Sequence, residues 1–296
     1  MFPSTHQIDS LFGAPGRRSR RRAAIAILAV GLTATVLAGC TDDTDPVAVS
    51  SDDQTASASC LPKSVPEAVK HDDASKADVD GTTLTLATHD SFATSDGIFD
   101  SFTKATGVTV EVVTVGDAGV LVSQSILTAG KPVADVLFGI DTTFLCRGTR
   151  AGLFVPYESP TLSDVDDGYE LADGHLATPI DVGDVCLNYS KTAYPDVADA
   201  PQGLDDLIDP RFADQFVTEN PESSSPGLAF LLATIAEYGD DGWEDYWTDL
   251  RANGAEVTSG WTEAYEDAFG AGSGDRSIVT SYASSPVADV LYDDPP

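Results

Sequence analysis

Between Thr83 and Arg150 the sequence switches repeatedly between two hydrophobic periods, and this alternation restricts the fold more than any other feature. "TTLTLATHDSF" opens with a strand near Thr83, and "GIFDSFTKATG" brings Ile98, Phe99 and Phe102 onto one helical face. "VTVEVVTVG" is rich in β-branched residues and reads as a second strand. "AGVLVSQSILTAGK" is a helix, "ADVLFGI" a buried strand, and Asp141 is placed to cap the helix "DTTFLCRGTRAG". The order β-α-β-α-β-α predicts a parallel or mostly parallel sheet covered by helices.

A second unit begins near "ATPIDVGDVCLNYSK" and continues through "GLDDLID" and the strand "QFVTEN". In "ENPESSSPGLAFLLATIAEYG", Ser225 suits an N-cap and Pro226 the first helical position. Leu228, Leu231, Leu232, Ile235 and Ala236 fall at helical spacing and predict one buried face. A helix start of this kind attracts anions, although serines there also serve simply as caps. The helices "DGWEDYWTDL" and "WTEAYEDAFGAG" and the strand "SIVTSY" complete the unit. Two α/β lobes of ordinary domain size place a ligand where loops at strand ends face each other across a cleft.

The N-terminus predicts the compartment. Five arginines between Arg17 and Arg22 precede the apolar run "AAIAILAVGLTATVLAGC". A basic segment before a short apolar one is a secretory leader, and the run is short for a membrane-spanning helix. Arg20, Arg21 and Arg22 also permit a twin-arginine leader. "LAGC" resembles a bacterial lipobox, which implies cleavage before Cys40 and a lipid on its thiol. The acidic, Ser/Thr-rich segment that follows has little apolar surface to bury and reads as a tether.

The chain carries a net charge of −32; residues 1–39 hold five arginines and one acid, so the remainder stands at −36. That excludes nucleic acid as a partner, because phosphate binding needs Lys and Arg. It favours a cationic small ligand as well as solubility outside the cell. Cys60, Cys146 and Cys186 remain beside Cys40, an odd number for an oxidising compartment, and their spacing matches no zinc site.

HExxH, GxSxG and Walker A sequences do not occur, and the glycine-rich "GAGSGD" lacks a dinucleotide-binding context. The four histidines are scattered. A hydrolase using Ser284 or Ser285 has no base in sight. Polar and aromatic residues instead gather at strand-to-helix junctions. These are "THDSF" with His89 and Asp90, "GDAG" with Asp117 and Gly119, "SSSPG" with Ser224 and Ser225, "SGWTEAY" with Trp261 and Tyr265, and "SYASSP" with Tyr282, Ser284 and Ser285. Each is compatible with capping or core packing; together they predict one cleft. Trp and Tyr can stack on a flat cationic ring, Asp117 can meet an amine, and the serine-led helix start can receive an acid or phosphate.

From about Leu84 onward, "DSFA", "ADVLFGID", "GLFVPYES", "SSPGLAFLLATIAEYG", "GWTEAY" and "SYASSP" together resemble the thiamine-binding subunits of bacterial ABC importers. That resemblance implies an α/β, two-lobed type II periplasmic-binding-protein fold, with no catalysis, no cofactor and no metal. It carries the family's pocket onto Asp117, Gly119, Ser224, Ser225, Trp261, Tyr282, Ser284 and Ser285. Ser224 and Ser225 stand where the family has a Ser-Thr pair near the phosphate of phosphorylated thiamine. His89, Asp96 and Ala288 replace a tyrosine, a tryptophan and a tyrosine of the family's pattern, leaving part of its aromatic cage. A related cation or a thiamine phosphate also fits. The chain ends at "DDPP", before the family's strand returning through the hinge, so the expected fold is incomplete at the C-terminus. By the same resemblance the Cys186 segment is the outgoing hinge strand, whose partner cysteine would lie on the returning one.

The expected organisation is a leader (1–39), a disordered acidic tether (40–82), a first lobe (83–178), and a hinge strand with a second lobe (179–296). The implied function is a monomeric, lipid-anchored subunit on the outer face of the cytoplasmic membrane. It would deliver thiamine or thiamine phosphate to ABC permease subunits. The alternatives are a polyamine or ferric-ion receptor of the same fold, a secreted hydrolase, or a purely structural surface lipoprotein. Iron would call for clustered Tyr and carboxylate oxygens, and no Tyr-Tyr pair occurs. A Cys40→Ala variant should lose its lipid and leave the membrane fraction. A wild-type protein that carries no lipid and fractionates like the variant overturns the lipobox reading.

Overall fold

The computed structural model describes residues 66–70, 79–166, 169 and 174–292. The leader, Cys40, Cys60, His6, His71 and most of the acidic segment lie outside them. Two short strands, Val69–Lys70 and Tyr157–Glu158 (β1 and β5), pair in parallel, so the first of them lies inside the stretch expected as a tether. Among the described residues, no helix is long and apolar enough to cross a membrane.

The first lobe is built on β2 (Thr83–Thr88), β3 (Thr109–Thr114) and β4 (Val136–Phe138), in the order β3-β2-β4 and all parallel. The register aligns Thr88 with Thr114 and with Phe138, so all three strands end at one edge. Helices α1 (Asp100–Thr106), α2 (Ala118–Leu127) and α3 (Thr142–Arg150) complete the alternation. The apolar face expected from Ile98, Phe99 and Phe102 does not form. Gly97 takes a left-handed turn (φ 71°) and the helix begins only at Asp100, with no buried residue along it. Ile98 and Phe102 stay exposed.

The second lobe has β6 (Val185–Tyr189), β7 (Phe216–Glu219), β8 (Glu256–Thr258) and β9 (Ile278–Tyr282), in the order β6-β9-β7-β8. β7 runs parallel to β8 and β9, while β6 is antiparallel to β9. Strand period 2 divides β7 and β9 between two layers. Phe216 and Ile278 face a cluster with Phe230, Tyr246 and Leu250 of α4 (Ser225–Tyr238) and α5 (Trp243–Ala252). Val217 and Val279 face Ala264, Tyr265 and Phe269, in and just after a π-helix over Thr262–Ala268. Helix α6 (Ser285–Tyr292) follows β9.

Helix α4 departs from the sequence reading in two ways. Ser224 (φ −117°) is the N-cap and Ser225 is already helical. Its buried residues are Ser225, Pro226, Gly227, Phe230 and Thr234, whereas Leu232 and Ala236 are exposed. The reason is close packing on β7. A Cβ at Gly227 would sit 2.4 Å from the Glu219 carbonyl oxygen, and the Phe230 ring lies 5.2 Å from Phe216. Leu228 leaves this layer and packs with Ala118, Val122 and Phe144 of the first lobe.

The lobes also touch through polar backbone contacts. The Gly119 N–H donates to Ser223 O at 2.7 Å, and the Trp261 N–H donates to Asp117 Oδ2 at 3.0 Å. A Cβ at Gly119 would lie 2.4 Å from Glu222 O and 2.8 Å from Ser223 Cα. Gly119→Ala should therefore push the lobes apart and cost about 1–3 kcal/mol, the scale of overpacking. Urea unfolding of both proteins checks this; equal midpoints would show that the loop after Asn220 yields freely.

Candidate ligand-binding site

The aligned strand ends bring the predicted junctions to one edge of each lobe. In the first lobe His89 follows β2, half-buried, with Nδ1 2.9 Å from Ser91 Oγ and its ring near Phe92 and Phe138. Gly139 (φ 97°) passes so close that a Cβ there would enter the imidazole. Burial holds His89 below its ordinary pKa, against the pull of Asp117, Asp90 and Asp181. Asp90 is raised, by burial first and by Asp117 second.

Asp117 caps α2, accepting from Ala118 N at 2.7 Å through Oδ1 while Oδ2 takes Trp261 N. Its carboxylate is thus committed to two backbone donors, and charge-assisted bonds of this kind are the strong ones. A carboxylate offers about four acceptor positions, so capacity for an amine remains.

In the second lobe, Trp261 precedes the π-helix and stacks on Tyr265, with ring centroids 4.9 Å apart and planes 9° from parallel. Its Nε1–H donates to Ser281 Oγ at 2.8 Å, and Ser281 Oγ lies 2.9 Å from Ser285 Oγ. Tyr265 is buried, and its hydroxyl meets Asp289 Oδ2 at 2.6 Å. It supports Trp261 from behind and presents no surface to the cleft. Ser285 is buried and committed to Ser281, while Ser284 is exposed and its carbonyl accepts from Val287 and Ala288 at the start of α6.

Ser224 and Ser225 are both buried at the start of α4. The Ser224 hydroxyl makes no capping bond and has no partner among the described residues. Four more buried side-chain oxygens are unpartnered: Thr88 Oγ1, Glu219 Oε1, Thr262 Oγ1 and Thr280 Oγ1. A buried polar atom left unpaired costs about 1–3 kcal/mol, so such atoms mark places built to meet something else.

The charges converge on Tyr282, the last residue of β9. Burial raises its hydroxyl pKa first, and Asp141, Asp117, Glu219 and Asp181 push it the same way. These carboxylates come from both lobes and from the segment between them. Glu219, Asp141, Asp181 and Ser281 were missed in the sequence. Asp141 reads as a cap, which it is: it accepts from Phe144 N at 3.1 Å. Glu219 is an acid ending a strand that is buried at every position. Burial, with Asp117 adding, raises its pKa from 4.5 to about 8.

The fold and the cleft define a two-lobed α/β binding protein whose facing strand ends gather carboxylates, an aromatic plane and a helix start. The chain belongs to the bacterial extracellular solute-binding proteins, whose family model matches residues 131–290. It is 29% identical over 219 residues to the thiamine-binding periplasmic protein of Brucella suis biovar 1 (strain 1330), covering 71% of this chain and 62% of that protein. A solved periplasmic thiamin binding protein superposes with a TM-score of 0.61 at 28% identity, over 72% of this chain and 65% of that one. Iron-bound HitA from Pseudomonas aeruginosa gives 0.53 at 27% identity, over 68% and 63%. The architecture is that of the type II periplasmic binding proteins. The chain spans about 62% of the length of the Brucella relative it matches.

Glu219 makes stability depend on pH with a definite sign. Its folded pKa lies above the unfolded value of 4.5, so the folded state holds a proton that the unfolded state has lost. Stability from this group is full below pH 4.5 and is lost as pH rises towards about 8. Glu219→Gln should therefore gain on the wild type by on the order of 4 kcal/mol between pH 4.5 and pH 8. Urea unfolding at both pH values reads this difference, and parallel profiles would show that the carboxyl titrates normally.

Proposed function

We propose that this chain is the substrate-binding subunit of an ABC importer that captures thiamine or a thiamine phosphate outside the cell. It delivers the ligand to membrane permease subunits and is held at the outer face of the membrane by a lipid on Cys40. It performs no chemistry; its work is capture between two lobes. The observation that carries this reading is the buried, unpartnered Ser224 hydroxyl at the start of α4, combined with acids around Tyr282 and the half-buried Trp261 ring. A ligand with a flat cationic ring at one end and an anion at the other uses all three. The ring stacks on Trp261, the best cation–π surface. The carboxylates of Asp117, Asp141 and Asp181 draw its positive charge. Ser224, Ser225 and the first-turn N–H groups, with no acid among them, receive a phosphate. The names of the relatives at 28–29% identity support thiamine as that ring.

A polyamine is the second reading, because the same carboxylates would hold an aliphatic dication. A ferric ion has less support, since among the described residues no three His, Cys, Asp or Glu stand close enough to hold a metal.

Calorimetric titration with thiamine, thiamine monophosphate, spermidine and ferric citrate separates these readings. The proposal expects thiamine or its phosphate to bind most tightly, and preference for spermidine or iron overturns it. Replacing Ser224 and Ser225 together by Ala should weaken thiamine monophosphate by about 1–3 kcal/mol and thiamine much less. Equal losses for both ligands would assign the serines to packing alone.

A further inference from the structure

Glu219 is fully buried, ends β7, and faces no Lys or Arg. The parallel pair Val217↔Val279 sets its place: two residues on, Glu219 and Ser281 lie on the sheet face that carries the π-helix. Ser281 is the residue that holds Trp261 by its indole N–H. Glu219 therefore shares the sheet face from which Ser281 holds Trp261, within electrostatic reach of Asp117 and Tyr282.

Its hydrogen bonding is incomplete. Thr218 Oγ1 approaches Oε2 at 3.4 Å, the far limit of a hydrogen bond, and Oε1 has no partner. A buried acid with a purely internal role would have both oxygens engaged, because unpaired polar groups at this depth are rare. The elements packed around it offer no counter-charge. Asp117 faces it from α2, and Tyr282 from β9. The first turn of α4 has neither acid nor base. On β8 the acid Glu256 is bonded to Arg276 at 2.9 Å, and on the π-helix Glu263 accepts from Ser259 N.

We propose that Glu219 is a specificity-determining residue of this cleft: it selects a cationic ligand and sheds its proton to solvent as the cation seats. In the balanced step, the neutral carboxyl loses one proton to buffer, and the carboxylate that remains attracts the cation from beneath the cleft wall. The inference rests on the reading of the cleft as a thiamine site. Burial and the Asp117 charge keep the acid protonated at neutral pH, and an arriving positive charge opposes both.

The test titrates the full chain with thiamine, whose own aminopyrimidine ionises at more acid pH. Affinity should rise about tenfold between pH 7 and pH 8.5, as the cost of removing the proton disappears. At pH 7, calorimetry in two buffers of different ionisation enthalpy should show close to one proton released per ligand. Glu219→Gln should bind with an affinity that does not change over this range and release no proton. Wild-type binding that is tight, independent of pH and free of proton release overturns the role of Glu219 and leaves the thiamine reading standing. The same pH slope in wild type and Glu219→Gln assigns the proton to another group and overturns it equally. Absence of thiamine binding at every pH overturns both. The proton count uses the wild type alone, so the test survives a variant that fails to fold.

Discussion

One carboxylate sets the geometry of the cleft. Asp117 caps α2 and, with its other oxygen, holds the backbone N–H of Trp261 across the lobe boundary. Gly260 eases this approach, since a Cβ there would lie a tight 3.3 Å from Asp117 Oδ2. With the Trp261 backbone fixed, Tyr265 and Ser281 determine where its ring points. The spacing of the lobes and the orientation of the aromatic plane are thus consequences of the same interaction. Leu228 adds the apolar part, packing from α4 into the Ala118, Val122 and Phe144 cluster.

The same carboxylate shapes the electrostatics. Asp117 is among the causes that move His89, Asp90, Glu219 and Tyr282, favouring the charged imidazole and disfavouring each anion. Burial outweighs it at every one of these groups. A cleft lined in this way stabilises no further negative charge on its walls. It gains from any positive charge brought in, because low-dielectric surroundings strengthen that attraction.

Much of this was legible in the sequence, because hydrophobic period and turn chemistry are local. The strands from Thr83 to Phe138, the cap at Asp141 and the helix led by serines all follow from neighbours in the chain. What the sequence concealed was tertiary. Leu232 and Leu228 have the same composition and lie on the same helix, yet one is exposed and the other joins the opposite lobe. Asp117 looked like a ligand group, and its bond to Trp261, 144 residues away, has no local signature. Glu219 read as part of a strand because nothing nearby announces that both faces of β7 are covered. The π-helix over Thr262–Ala268 was read as an ordinary helix, since the extra residue per turn depends on how Tyr265 and Phe269 seat against Val217 and Val279.

The helix starts divide the cleft by charge. α2 and α3 begin at the edge of the first lobe, and each has its positive end covered by its own aspartate, Asp117 through Ala118 N and Asp141 through Phe144 N. Those two termini therefore present negative charge outward. α4 begins with Ser224 instead, which supplies no capping bond, and no acid occupies its first turn. Its N–H groups and partial positive charge remain uncompensated. A ligand spanning the lobes thus meets carboxylates on the side of Asp117 and Asp141 and the unpartnered Ser224 hydroxyl on the other. That gradient orients a zwitterionic or phosphorylated cation one way round. The reverse orientation would set an anion against Asp117 and a cation against a helix start, and both contacts are unfavourable. The choice of capping residue at three helices is enough to impose this polarity.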